Sequence, residues 1–422
     1  MGSPQTDAQP LQSGTRVVDL LILVLVAGAA VYSRFSLSPV QEALRTTLGL
    51  TDNQLALLQG PVLAFPMVLT AIPLGILVDR RSRVRLLFVL TLINFAGGIV
   101  TISASHFSTL LVARILVGIG VPGISTAALS LIGDLYRPTL RGRALTAVAI
   151  GQYGGLSLVF ALGGWLIGRY GANAHAWQWS MFWLNALLIP VLVIIMGMRE
   201  PARGERTGQA PSGRSEWRQL WQYRAVLLTL VTGMVMGDMA VFAVLTWASP
   251  AFERGFQLSP ERIGALVGGA ALVSGLVGPL VGGVVADTAQ SFGGARRTIW
   301  ALCALALIGA PAGLFAIVPD INVAAGMLML FAGIGGAILV AGGALLTVVI
   351  PSDLRGVSIS FSNTVQSILG IGLVPILISG LSTFLGGPAM LGRALAWVCV
   401  TATLLAAAIF AAGARHFNVR SR

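Results

Sequence analysis

The chain has 422 residues, 56% of them hydrophobic and only 10% charged, where a soluble domain carries about 25% charged residues. That composition excludes an ordinary soluble protein and marks an integral membrane protein. The net charge is +12 and all 27 basic residues are arginines. They fall in short loops between apolar runs, which fits the excess of positive charge on the cytoplasmic side of membrane proteins better than it fits a nucleic-acid partner.

A helix crossing the roughly 30 Å hydrocarbon core needs about 20 mainly apolar residues. Twelve segments qualify. The first, 17–38, carries Arg34 inside its apolar span and has no small-residue cleavage site, so a retained helix is expected rather than a signal peptide. The second, 51–78, contains Gln59 and runs into GILVDRRSRVRLL (75–87), where Gly75, Asp79, Arg80, Arg81, Arg83 and Arg85 crowd the loop before the third, 84–104. An aspartate at a helix C-terminus is unfavourable unless cations or another helix N-terminus face it. Arg80 and Arg83 are the local cations, and the helix start near Arg355 is the distant dipole.

The fourth segment, 107–133, contains Arg114 and ends beside Asp134. Arg141 precedes the fifth, 143–169, which carries Gln152 and Tyr153. After the sixth, 176–198, comes the longest polar connection, REPARGERTGQAPSGRSEWRQLWQ (199–222), expected as a cytoplasmic linker. The seventh, 223–249, contains Asp238 and Trp247. The eighth, 259–287, ends at Asp287. The ninth is 297–318 and the tenth 321–350. The eleventh, 355–384, opens at Arg355 and carries Asn363 and Gln366, and the twelfth is 390–413. Cys303 and Cys399 lie in apolar runs and read as packing residues. His106 and His175 read as solvated loop residues. No nucleophile triad, phosphate loop or metal-ligand cluster is visible, so no enzyme, cofactor or metal is expected.

With both termini in the cytoplasm, the cytoplasmic segments hold 20 arginines and the outer segments 5, with Arg34 and Arg114 inside helices. The six helices on each side of the linker also echo one another. GILVD ends at Asp79 and GVVAD at Asp287, 208 residues on; LRG recurs at Arg141 and Arg355, 214 residues apart. Two matches in order and at nearly one offset indicate a duplicated six-helix unit.

The 75–85 pattern, G-x-L-x-D-R-x-S-R-x-R, resembles the signature loop of the major facilitator superfamily, and LVARILVGIG, with Arg114, Gly118 and Gly120, resembles a second motif of it. The fold class this implies is an all-α membrane protein: twelve transmembrane helices in two pseudo-symmetric six-helix bundles, 1–198 and 223–422, joined by 199–222. Within that superfamily the chain is similar to the Spinster-like group. The resemblance is carried by SRF (33–35), LVGIGVPGISTAALSLIGDLYRPTLRGRALT (116–146), WASPAF (247–252) and GPLVGGVVAD (278–287). Better-known members of that group are similar to transporters of lysophospholipids and sphingosine phosphate. Two acids that the group is thought to use for proton coupling are replaced here by Ser33 and Val121. GLVGPLVGG (275–283) resembles the Gly-Pro motif of drug/proton antiporters but lies in helix eight rather than five, which argues against that class.

The resemblance implies that the 75–85 loop latches the two halves in an outward-facing state. The gating candidates are Gly75, Asp79, Arg80, Arg83, Asp134, Arg141, Asp287 and Arg355. Arg81 and Arg85 read as topology anchors. Arg34 and Arg114 either snorkel outward or face a cavity, where guanidinium would attract a phosphate or carboxylate. Asp238, near the middle of helix seven, is either a proton-coupling group or a structural partner of Arg34. Gln59, Gln152, Tyr153, Trp247, Asn363 and Gln366 are further substrate-binding candidates, or else interhelical hydrogen-bonding residues.

The expected function is alternating-access transport of an amphipathic anion such as a lysophospholipid. The rival is a proton-coupled symporter or a facilitator of small organic anions or sugar acids. A receptor or scaffold with a transporter fold is a third reading, to which the short tails give no support. The expected partners are a small-molecule or lipid substrate, membrane lipids and protons. The expected protein is a monomer in a bacterial inner (plasma) membrane.

Overall fold

Each apolar run of the sequence becomes a helix in the computed structural model, which describes residues 13–417 apart from 172, 174 and 202–217. Most of the expected linker and the terminal Arg420 and Arg422 therefore lie outside the described residues. The membrane helices are α1 (Ser13–Phe35), α2 (Asp52–Arg80), α3 (Arg83–Ile102), α4 (Phe107–Leu135), α5 (Pro138–Tyr170), α6 (Ala176–Met196), α7 (Arg224–Phe256), α8 (260–292), α9 (295–312), α10 (Ile321–Val349), α11 (Arg355–Phe384) and α12 (Leu391–Gly413). Followed without a break, the described residues give eleven such spans, because 260–316 runs on as one. The chain turns at Gly293 and Gly294, the latter at φ +63°, ψ −160°, where glycine has no Cβ to clash. Counted at that turn there are twelve helices in two bundles.

One segment differs from expectation. Residues between the first and second spans are not simply a loop. A helical turn, Ser38–Val40, leads into a short helix, Gln41–Leu48, that buries Gln41 and Leu44. Gly49 ends it in the left-handed conformation, φ +64°. Thr51 and Gln54 then form a capping box that starts α2, and α2 bends at Gly60, just before Pro61.

The repeat is visible in hydrogen bonding. Arg141 donates from Nε to the carbonyl of Tyr136, and Arg355 donates from Nε to the carbonyl of Ile350, each closing the end of the preceding helix. Both reach back five residues, so the two LRG motifs cap equivalent helix ends.

The two halves are fused at one face only. A single apolar core runs through the second half and into Leu37, Leu44, Leu55, Val159 and Phe160 of the first, whereas Ile22, Leu87, Leu131 and Ile195 belong to a separate core of the first half. The seam between α5 and α8 depends on small residues. An added Cβ on Gly164 would stand 2.9 Å from Cα of Gly264, and one on Gly268 would stand 2.9 Å from the Ser157 carbonyl. These contacts lie toward the face formed by the α1–α2 and α7–α8 connections. The opposite, arginine-rich face carries the α2–α3, α4–α5 and α10–α11 loops. There an added Cβ on Gly75, Gly142, Gly283 or Gly356 would meet nothing within 4 Å. The remaining outer surfaces are apolar, as lipid requires: Phe65 and Ile72 on α2 and Leu280 and Val284 on α8 are exposed.

Candidate functional site

A cavity of about 430 Å³ lies between the halves, within the usual range for small-molecule sites. α1 and α5 supply one side; α7, α8, α10 and α11 supply the other. The polar lining comprises Arg34, Gln152, Tyr153, Asp238, Asn363 and Gln366, six of the residues singled out in the sequence, and Ser274, which was not. The rest is apolar, with Phe35, Leu156, Phe242, Leu245 and Phe331 prominent.

Helical spacing explains the arrangement. Asp238, Phe242 and Leu245 lie at intervals of four and three on α7, so they share one face. Residues 273–277 of α8 and 367–373 of α11 form π-helical turns, the first of which places Ser274 in the wall. Gly275 in that turn leaves room for the Tyr153 ring, whose atoms occupy the place a Cβ would need.

Arg34 is the chemical centre of this cavity. Its guanidinium carbon lies 4.9 Å from the ring centre of Phe35 and 4.8 Å from that of Phe242, and the two rings are nearly parallel at 15°. Phe242 belongs to the other half, so the cation is held between side chains of both bundles. Nε and Nη2 of Arg34 are buried without a hydrogen-bond acceptor. Asp238 faces the same cavity and attracts Arg34 electrostatically. No ion pair joins them among the described residues. Gln366 donates from Nε2 to Ser362 Oγ at 2.8 Å.

Three of the expected binding residues lie elsewhere. Gln59 is occupied at the α1–α2 connection, donating from Nε2 to Gln41 Oε1 at 2.6 Å and accepting from Ser38 Oγ at 2.8 Å. Trp247 is fully buried and donates from Nε1 to the Pro375 carbonyl, tying α7 to α11. Arg114 is sealed inside the first bundle, donating to Thr101 Oγ1 at 3.3 Å.

The gating candidates divide as well. Asp79, Arg80, Asp287 and Arg355 are exposed on the arginine-rich face. Arg83 is not available to Asp79 as a local cation. It is 2% exposed, forms an ion pair with Asp134, and donates from Nε to Glu200 Oε1 at 2.8 Å. Glu200 also accepts from Ser82 Oγ and from the Val84 N–H. Burial opposes ionisation of Glu200, but those hydrogen bonds outweigh it and hold its carboxyl below the ordinary value. Arg141, with Nη2 also on the Gly133 carbonyl, and Arg355 serve as helix caps.

No local sequence pattern announces a second charged cluster on the opposite face. Arg254 of α7 donates to both Glu42 and Asp52 of the first half, and Arg45 donates to Glu42. Glu42 falls between the first two expected spans, Asp52 at the start of the second, and Arg254 reads only as an outer arginine. Pairing across 202 and 212 residues has no signal in local periodicity.

Comparison with known proteins agrees with this architecture. A family model described as Major Facilitator Superfamily matches residues 23–375. Protein spinster homolog 1 of Xenopus tropicalis is 26% identical over 208 residues, 48% of this chain. The chain spans only 38% of that protein's length. A probable 4-methylmuconolactone transporter of Cupriavidus pinatubonensis is 27% identical over 374 residues, covering 85% of this chain and 81% of that one. Among solved structures, a bacterial homolog of the human lysosomal transporter Spinster, inward-facing and unoccupied, superposes with a TM-score of 0.82 at 21% identity, over 96% of this chain and 98% of that one. On the family match and the twelve-helix architecture together, the chain belongs to the major facilitator superfamily and is similar to members of the Spinster-like group.

Proposed function

We propose that this protein is a secondary transporter that carries an amphipathic anion by alternating access, without enzymatic activity. The carrying observation is Arg34: a buried guanidinium with two unpartnered nitrogens, facing a cavity whose other walls are mainly apolar. A carboxylate or phosphate would take those donors, and the apolar part of the same molecule would lie against Phe242, Leu245 and Phe331. A lysophospholipid meets both requirements. A second reading, a small organic anion, is favoured by the likeness to the 4-methylmuconolactone transporter over most of both chains.

The arginine-rich face is cytoplasmic in this reading, with both termini on that side of a bacterial inner membrane. The conformation is then inward-facing: Arg254, Glu42 and Asp52 shut the outer end, while an added Cβ on the motif glycines of the inner face would meet nothing within 4 Å. Rocking the bundles would part Arg254 from its two acids and bring the Asp79 loop against the start of α11. Asp238 would carry the coupling proton, since an anion that neutralises Arg34 removes the cation supporting its charge. No nucleic acid or cofactor enters this mechanism, and one chain holds the whole cavity.

The test is ligand stabilisation of the purified protein. Lysophosphatidic acid, lysophosphatidylcholine, short carboxylates and neutral sugars would be compared by melting temperature, for the native chain and for Arg34→Gln. Stabilisation by anions that disappears in Arg34→Gln supports the reading. Equal stabilisation by neutral sugars, or anion stabilisation that survives the substitution, overturns it. Retention of the short carboxylates with no response to lysolipids selects the second reading.

A further inference from the structure

In this conformation Arg34 is shielded by an aromatic ring that belongs to the other half. Its guanidinium carbon lies within cation–π range of two rings, Phe35 beside it on α1 and Phe242 on α7. Nε and Nη2, a pair of donors that can grip a carboxylate or phosphate together, are buried and have no acceptor. The ring faces offset part of the charge but supply no hydrogen bond. An anion that took the place of a ring would gain both donors.

Phe242 has little room to withdraw by itself. A Cβ added to Gly370, in the π-helical turn of α11, would stand 2.7 Å from Cδ2 and 3.1 Å from Cε2 of the ring, so the ring edge rests on the α11 backbone. Ile371, the next residue of that turn, clusters with Leu63, Met67 and Val121 of the first half, and Phe242 packs against the same cluster. The ring is therefore backed by its own half and pressed against the other. Its place over Arg34 depends on how the two halves sit. The same helix, α7, carries Arg254, 12 residues beyond Phe242, whose bonds to Glu42 and Asp52 shut the outer end.

We propose that Phe242 is a shutter on Arg34 that gives the two conformers different affinities for the anion. The inference rests on the reading of Arg34 as the anion site. With the outer end shut, the ring engages the guanidinium and the anion is held weakly, which favours release on the cytoplasmic side. When α7 and α11 swing away, the ring travels with them and Arg34 presents its donors to the outer side. Phe35 lies next to Arg34 on one helix and stays with it in both conformers. A ligand shifts a two-state equilibrium only by its difference in affinity for the two states. The anion thus opens the outer face, and Phe242 is the source of that difference.

The experiment uses the full chain in detergent, with lysophosphatidic acid and acetate as probes, each titrated by calorimetry. Whichever probe binds the native protein should bind Phe242→Ala roughly 10-fold more tightly. Phe331→Ala, which removes a ring of the cavity wall that does not touch Arg34, should bind no more tightly than the native protein. Spin labels on the α1–α2 and α7–α8 connections supply a readout that a merely structural ring would not move. The probe should lengthen that distance in the native protein and leave it unchanged in Phe242→Ala, where Arg34 is uncovered in both conformers. Binding by Phe242→Ala that is unchanged or weaker overturns the shutter, as does a lengthening that survives the substitution. If Phe242→Ala does not fold, Phe242→Leu is judged by the same two outcomes. Probe binding that persists in Arg34→Gln, or no binding of either probe by the native protein, overturns the anion reading and the shutter with it.

Discussion

Arg254 grips Asp52 with two parallel hydrogen bonds, Nη1 to Oδ2 at 2.7 Å and Nη2 to Oδ1 at 2.8 Å, across the boundary between the two halves. The same guanidinium reaches Glu42 through Nε and Nη2. The three side chains are only 7–15% exposed, so their attraction is screened far less than that of a surface pair. Two carboxylates share this arginine, and Arg45, paired with Glu42, is a second cation beside them.

Arg254→Gln should therefore release the outer face. The loss of about 2 kcal/mol of inter-half attraction would move the balance between conformers by roughly 30-fold. Spin-label distances between the α1–α2 connection and the α7–α8 connection should lengthen. Distances unchanged from the native protein would show that the glycine seam of α5 and α8 closes that face unaided.

Arg34→Lys keeps the charge but loses the planar fork, and should weaken an anionic ligand roughly 10-fold; Arg34→Ala should weaken it about 100-fold. Neutral ligands should hardly respond. Equal losses for both kinds of ligand, measured by calorimetry, would mean that Arg34 supports the cavity through its contacts with Phe35 and Phe242 alone.

Much of this architecture is legible in the sequence because lipid imposes it. Apolar length alone locates the spans, and even the Gly293–Gly294 turn falls between the expected eighth and ninth helices. Arg141 and Arg355 announce the repeat because a helix cap is a local device. Side-chain partners across helices are a different matter. The sequence places Arg34 and Arg114 together as in-helix cations, but it holds no information on which face of the bundle each one turns to. One meets the cavity between the halves; the other is buried within the first bundle. Glu200 reads as part of the linker, although it closes an ion-pair cluster with Asp134 and with Arg83, 117 residues away.

The Glu200 cluster predicts a pH dependence. Its carboxyl is held below the ordinary value of 4.5 in the folded protein. A group with a depressed folded value contributes stability that is complete above 4.5 and is lost as pH falls through the folded value. Native melting temperature should therefore decline as pH drops below 4.5. Glu200→Gln should be less stable by about 1 kcal/mol at neutral pH and flatter in the acid range. Parallel curves for the two proteins would remove Glu200 from the account.

Asp79→Asn tests the inner latch. The side chain is exposed in this conformation, and closure of the inner face is proposed to bring it against the helix start near Arg355. The substitution should impair transport while expression stays near native, and it should lengthen distances between the α2–α3 loop and the start of α11. An unaltered distance distribution would sink the latch.

The last prediction concerns energy coupling. The acids expected from the Spinster likeness are replaced by Ser33 and Val121, so a proton-driven cycle must use another group. Asp238 shares the cavity with Arg34 and is drawn to it without an ion pair, which leaves each free to change partner during the cycle. An anion arriving at Arg34 competes with Asp238 for the same cation, and a carboxylate that loses its cation in an apolar wall accepts a proton. Binding of the anion and uptake of the proton would thus be one event. In liposomes, a pH gradient should drive accumulation by the native protein, and Asp238→Asn should still equilibrate the substrate but ignore the gradient. A native protein indifferent to the gradient would be a facilitator. A gradient response equal in the native protein and Asp238→Asn would place the coupling group elsewhere.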